Sequence, residues 1–146
     1  MTTQSGTDIS LAASLLQTGE LVSIPTETVY GLAANALNED AVLKIYAVKQ
    51  RPQFNPLIVH VHSWAQAQLY VQNTPAKAAL LANTFWPGPL TLLLQKQNTI
   101  PDIVTAGSNR VAIRVPNHPL TLQLLEQLNF PVAAPSANPS GYVSPT

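Results

Sequence analysis

The period of apolar and polar positions changes several times along the chain. Residues 9–18, ISLAASLLQT, set Leu11, Leu15, Leu16 and the alanines at helical spacing, and Gly19 follows where a helix C-cap belongs. LVSI at 21–24 is short and apolar and reads as a strand. Asn38 caps a helix that runs to about residue 50, with Glu39 and Asp40 in its first turn and Val42, Leu43, Ile45 and Tyr46 as its apolar stripe. PLIVHV at 56–61 is β-branched and short, a second strand. Ser63 opens a helix to about residue 71, and Thr74-Pro75 opens another to about 85, with proline in the permitted first position. WPGP at 86–89 is a turn. PLTLLLQ and VAIRV at 111–115 are strands, Asn117 to Leu128 is a helix with Pro119 near its start, and PVAAPSAN at 131–138 begins as a strand that breaks at Pro135.

Strands that alternate with helices predict an α/β domain with a twisted, mostly covered sheet. One segment resists the pattern. SIPTETVYGLAANA at 23–36 carries hydroxyls, a glutamate and a tyrosine, more polar groups than a buried strand needs. Within it PTETVYGL follows the first strand, at a strand end of the kind where open α/β sheets bind ligands.

Length and composition sharpen this picture. The 146 residues fit one domain, 1–146, and suffice for a real core. Only 10% of them are charged, against the usual ~25%, and 46% are hydrophobic, so disorder is not expected. The chain has no cysteine, which removes disulfides and thiolate zinc sites. The N-terminus lacks the basic and apolar regions of a signal peptide, and no apolar run reaches the ~18 residues of a membrane span. The expected compartment is the cytoplasm, with no membrane partner.

Net charge is zero, yet the charges are segregated. Residues 1–43 carry five acids and no base, whereas 44–118 carry all seven bases against the single acid Asp102. That bias suggests a local anion site rather than a coat for nucleic acid. Lys49 and Arg51 lie at a helix end, where cations also serve simply as caps. Arg110 and Arg114 are four apart in a strand and share a face. Arg114 stands among apolar residues and needs an anion, either Glu27 or a ligand carboxylate or phosphate. His60 ends an apolar strand and reads as a structural histidine rather than a metal ligand. Ser136, Asn138, Ser140 and Ser144 lie in a Pro/Ser/Gly-rich stretch that is either an ordinary loop or a phosphate cradle. The motifs GxxxxGK[ST], GxGxxG and GxSxG are all absent. The residues alone thus describe a cation-lined cleft for an anionic small ligand, without naming a reaction.

Five blocks, PTETVYGL, KQRP followed by PLIVH, WPGPLTLLL, VAIRVPNHP and APSANPSG, occur in order across residues 9–146. Together they resemble the YrdC/Sua5 family, the threonylcarbamoyl-adenylate synthases of tRNA modification. The resemblance implies a YrdC/RibB-like mixed sheet with a concave cleft. It implies formation of threonylcarbamoyl-AMP and pyrophosphate from L-threonine, bicarbonate and ATP, with Mg²⁺ carried by the nucleotide. It also implies a downstream tRNA threonylcarbamoyl-transferase complex acting at adenosine 37, and with it a possible contact with tRNA.

By similarity, Thr28, His60, Arg114 and the main chain of Ala134 bind threonine. Thr26, Glu27, Tyr30 and Asn138 form a supporting shell. Arg51, Asn55, Arg110, Ser136 and Ser144 contact the nucleotide, Arg110 through its backbone. Lys49 and Arg51 offset charge during phosphoryl transfer. No residue is assigned to a metal. The family's domain continues for some tens of residues beyond 146, so the C-terminal part of the domain is expected to be missing, leaving an incomplete cleft and an unpaired sheet edge. Two alternatives accompany this reading: a YrdC-like carbamoyl-transfer domain of hydrogenase maturation, and a non-enzymatic RNA-binding module.

Overall fold

A computed structural model describes residues 8–26, 30–49 and 56–135 of the chain. Among these residues the elements run α1 (Ile9–Gln17), β1 (Val22–Pro25), β2 (Tyr30–Asn35), α2 (Glu39–Lys49), β3 (Ile58–His60), α3 (Trp64–Gln68), α4 (Ala76–Phe85), β4 (Leu92–Gln95), β5 (Arg110–Arg114), α5 (Pro119–Gln127) and β6 (Val132–Ala134). The strands form one sheet in the order β1-β2-β6-β3-β5-β4. It is a mixed sheet, in which β3 and β5 are parallel and every other neighbouring pair is antiparallel.

Local chemistry accounts for the helix ends. Asp8 accepts the Leu11 amide at 2.9 Å and so caps α1. Past Thr18, the Gly19 amide returns to the Leu16 carbonyl and the Glu20 amide to Leu15, which closes the helix with a Schellman turn. Gly19 has φ +88°, a conformation in which a side chain is strained. Asn38 accepts the Ala41 amide at 3.2 Å, as its place before Glu39 predicts. The Lys44 ammonium then ties α2 to the α1 turn through the Gly19 carbonyl at 3.0 Å and Glu20 at 3.3 Å.

Three details depart from the pattern reading. YGLAAN is strand β2 rather than a polar loop, the partner of β1 from Val22↔Ala33 to Pro25↔Tyr30. Its small residues fit because both of its faces are covered. Ala33 packs toward α1 and α5, and Ala34 toward α2. α3 stops at Gln68 instead of continuing to 71. Pro75 is the N-cap of α4 and not its first helical residue.

Register divides the core in two. Ala34, Ala133, Val59, Ile113 and Val111 lie on one face, with Val42, Ile45 and Tyr46 of α2 and Ala67 of α3. α4 joins that side by packing Ala78 and Ala82 against Leu92. On the opposite face Ile24, Ala33, Val132 and Ala134 meet Ala13 and Leu16 of α1 and Leu124 and Leu125 of α5. α1 and α5 cover only the β1-β2-β6 part of that face. Over β3, β5 and β4 it continues as Ile58, His60, Arg110, Ala112, Arg114, Leu93 and Gln95 with no described helix above it. Leu93 there is 59% exposed.

Gly19→Ala is expected to destabilise the fold by about 1 kcal/mol or more, since alanine resists positive φ and its Cβ would meet Asn38 Nδ2 at 3.2 Å. Urea denaturation followed by circular dichroism measures this; an unchanged midpoint would show that the α1 turn does not need glycine.

Candidate functional site

The β3-β5-β4 part of that face holds the buried polar groups of interest. Parallel pairing of β3 with β5 sets Ile58 beside Ala112 and His60 beside Arg114. On the other side of β3, Ala134 pairs with Ile58 and Val132 with His60. His60, Arg114 and Ala134, three of the residues assigned to threonine by similarity, thus fall within two adjacent rows of one sheet face.

Both polar members of this group are buried, His60 to 4% exposure and Arg114 to 7%. His60 Nδ1 lies 3.2 Å from the Ile58 carbonyl. A carbonyl only accepts, so Nδ1 carries the proton and Nε2 presents a lone pair. Burial, and after it the positive charge of Arg114, lowers the His60 pKa from 6.5 to about 3, against a smaller opposing effect of the Ile58 carbonyl. His60 is therefore neutral at physiological pH. The pair combines a fixed cation with a neutral acceptor, which suits a ligand bearing both a carboxylate and hydrogen-bond donors.

Arg110 lies four residues earlier on the same face of β5, exposed and opposite Gln95. It lines a cavity of about 260 Å³ with Asn73, Pro75, Leu93, Leu94 and Gln95. Its backbone N–H is donated to Ser108 Oγ at 3.1 Å, so the expected backbone contact to a nucleotide has only the carbonyl left to use. Thr26 is half-buried just past β1. Tyr30 opens β2 and Lys49 closes α2, and only their backbone positions are described. Glu27, Thr28, Arg51, Asn55, Ser136, Asn138 and Ser144 lie outside the described residues.

Not all of the central bases belong to an anion field. Lys44 is held by Glu20 and the α1 turn. Lys96 is buried at 6% exposure, donating to the Ile100 carbonyl at 2.9 Å and pairing with Asp102 at 3.0 Å. Both pin the fold, a role that charge segregation could not reveal. Pattern reasoning also missed the Thr121 hydroxyl, which is buried and donates to the Pro25 carbonyl, linking α5 to the end of β1. Among the described residues no cluster of three or more His, Asp or Glu is placed to hold a metal, and no helix is long and apolar enough to cross a membrane.

An α/β domain with a buried cation and a neutral histidine side by side on one sheet face is thus the class that the geometry defines. The chain belongs to the Sua5/YciO/YrdC family, whose model, described as "Telomere recombination", matches residues 14–146. The threonylcarbamoyl-AMP synthase of Bacillus subtilis (strain 168) is 53% identical over 139 residues, 94% of this chain and 40% of that protein. Sua5 of Pyrococcus abyssi complexed with L-threonine superposes with a TM-score of 0.90 at 50% identity, covering 94% of this chain and 41% of that one. Full-length HypF in its phosphate- and nucleotide-bound form shares the fold, with a TM-score of 0.79 at 24% identity over 97% of this chain and 22% of that one. The chain spans about two fifths of the length of the Bacillus and Pyrococcus relatives.

The histidine makes a pH prediction. Between pH 6.5 and about 3 the unfolded chain binds a proton at His60 that the folded chain does not. Its contribution to stability is therefore complete above pH 6.5 and is lost progressively as pH falls toward 3. At ~1.4 kcal/mol per unit, the loss at pH 5 is about 2 kcal/mol. His60→Gln should shrink the difference between urea midpoints at pH 7 and pH 5; an undiminished difference would place the acid sensitivity elsewhere.

Proposed function

We propose that this chain carries the catalytic domain of an L-threonylcarbamoyladenylate synthase. The observation that supports it most is the His60–Arg114 pair at the ends of adjacent parallel strands, in a chain 50% identical to a Sua5 complexed with L-threonine. In this reading the Arg114 guanidinium grips the threonine carboxylate with two parallel hydrogen bonds. His60 Nε2 accepts from a donor of the amino acid. The main chain of Ala134 and the Thr28 side chain complete the subsite, with Thr26, Glu27, Tyr30 and Asn138 around it.

The reaction then proceeds without a covalent enzyme intermediate. The threonine nitrogen bonds to the carbon of bicarbonate, water leaves, and a carbamate forms. A carbamate oxygen attacks the α-phosphorus of ATP, the bond from that phosphorus to the bridging oxygen breaks, and pyrophosphate departs. Arg51, Asn55, Arg110, Ser136 and Ser144 hold the nucleotide. Lys49 and Arg51 offset the charge that grows on the transferring phosphorus. Mg²⁺ brought with the nucleotide would supply further screening of that charge, with no protein residue assigned to hold it. The protein's part is positioning, because the carbamate is itself the nucleophile. The mixed anhydride so formed passes to a tRNA threonylcarbamoyl-transferase in the cytoplasm, which places the group on adenosine 37.

Pyrophosphate release from ATP and Mg²⁺ should require both threonine and bicarbonate. Arg114→Met should lower kcat/KM for threonine by about ten- to a hundredfold, the worth of a hydrogen bond to a charged group. Release that ignores threonine or bicarbonate would overturn the assignment.

A further inference from the structure

The backbone beside Arg114 depends on the WPGP turn. β4 pairs with β5 only as far as Leu92↔Ile113. Beyond Ile113, β5 has no ladder partner in β4 on that side. The turn takes over: the Gly88 N–H donates to the Val115 carbonyl at 2.8 Å. On the β3 side the Val61 N–H donates to the Arg114 carbonyl at 3.0 Å. Successive carbonyls of an extended chain point to opposite sides, so the two bonds bracket Arg114 at the point where the strand would otherwise fray.

The turn is itself fixed. The Trp86 indole N–H donates to the Leu90 carbonyl at 2.7 Å and spans the four-residue stretch. Gly88 is buried, and a Cβ there would sit 2.5 Å from the Phe85 carbonyl oxygen. Only glycine brings its amide this close to β5 with the end of α4 behind it. The tilted contact of Trp86 with Trp64, at 6.0 Å between centroids, is packing and leaves the indole N–H bond to Leu90 to hold the turn.

We infer that the Trp86–Leu90 turn is the positioning element for Arg114, holding the end of β5 so that the guanidinium meets the amino-acid carboxylate in its two-pronged geometry. The inference rests on the proposed threonine site and assigns that site a group remote in sequence. A guanidinium that must align two bonds at once tolerates little displacement, and misplacement by about an ångström can cost a hundredfold in such a site.

The test uses the full chain with threonine, ATP, bicarbonate and Mg²⁺. Trp86→Phe keeps a ring but removes the indole donor. It is expected to raise KM for threonine roughly tenfold while KM for ATP stays put, a split that general loosening would not give. Trp64→Phe, which weakens the same ring contact and spares the Leu90 bond, should leave both constants alone. Combining Trp86→Phe with Arg114→Lys should cost less than the product of the single effects, because both act through one guanidinium. A second measurement needs no variant: saturating threonine should slow hydrogen exchange of the Gly88 amide, and ATP alone should not. Equal shifts in both KM values, multiplicative effects, or an unaltered Gly88 amide would each overturn the inference. A full-length wild-type protein that takes up no threonine would overturn the functional assignment first, and this inference with it.

Discussion

The parallel pairing of β3 with β5 is the constraint on which the site depends. Two parallel strands end at the same edge of a sheet, so residues at their C-terminal ends become neighbours without any contact in sequence. Here those residues are His60 and Arg114. Antiparallel pairing of the same two segments would have put Arg114 opposite the start of β3, near Leu57, and left the guanidinium buried among aliphatic groups. The flanking strands are antiparallel and shorter in their demands; they supply a covered floor for the parallel pair. Binding at the carboxyl ends of strands is a general property of α/β sheets, and in this sheet it reduces to one register.

Electrostatics follow from that register. Two cations side by side in a buried row would repel and lose hydration, a cost of several kcal/mol. The histidine avoids it by staying neutral, and the carbonyl of Ile58 fixes which nitrogen keeps the proton. One positive charge and one free lone pair are left facing the same side. An amino acid under the proposed reaction carries a carboxylate for the first and donors for the second. The nearby Ile58 and Ala112 give the floor low polarity, which strengthens both interactions.

Much of this was legible in the chain because charges are few. A histidine and an arginine inside β-branched runs stand out against 10% charged residues, and helix starts such as Asn38 announce themselves by chemistry. What the chain hid was nonlocal. YGLAAN lacks the alternation of a half-buried strand, since a strand covered on both faces by close-packed helices takes alanine and glycine at either parity. Lys44 and Lys96 looked like parts of an anion field because their partners, the Gly19 and Ile100 carbonyls with Glu20 and Asp102, become visible only in the fold. Arg110 and Arg114 share a face as their spacing requires, but spacing could not say that one is exposed and the other buried.

The placement of His60, Arg114 and Ala134 on strands carries a mechanical sense. Residues assigned to threonine, apart from Thr28, sit on β3, β5 and β6, where backbone hydrogen bonds on both sides limit drift. Arg51, Asn55, Ser136 and Ser144, assigned to the nucleotide, lie outside the described residues. A small substrate with a single short side chain offers few contacts, so each must be placed by a rigid element if threonine is to be told from its analogues. A triphosphate offers many oxygens and a diffuse charge, so its binding depends less on any one contact. The proposed chemistry makes the same demand, since the carbamate must be brought in line with the α-phosphorus from a fixed amino acid while the nucleotide comes and goes.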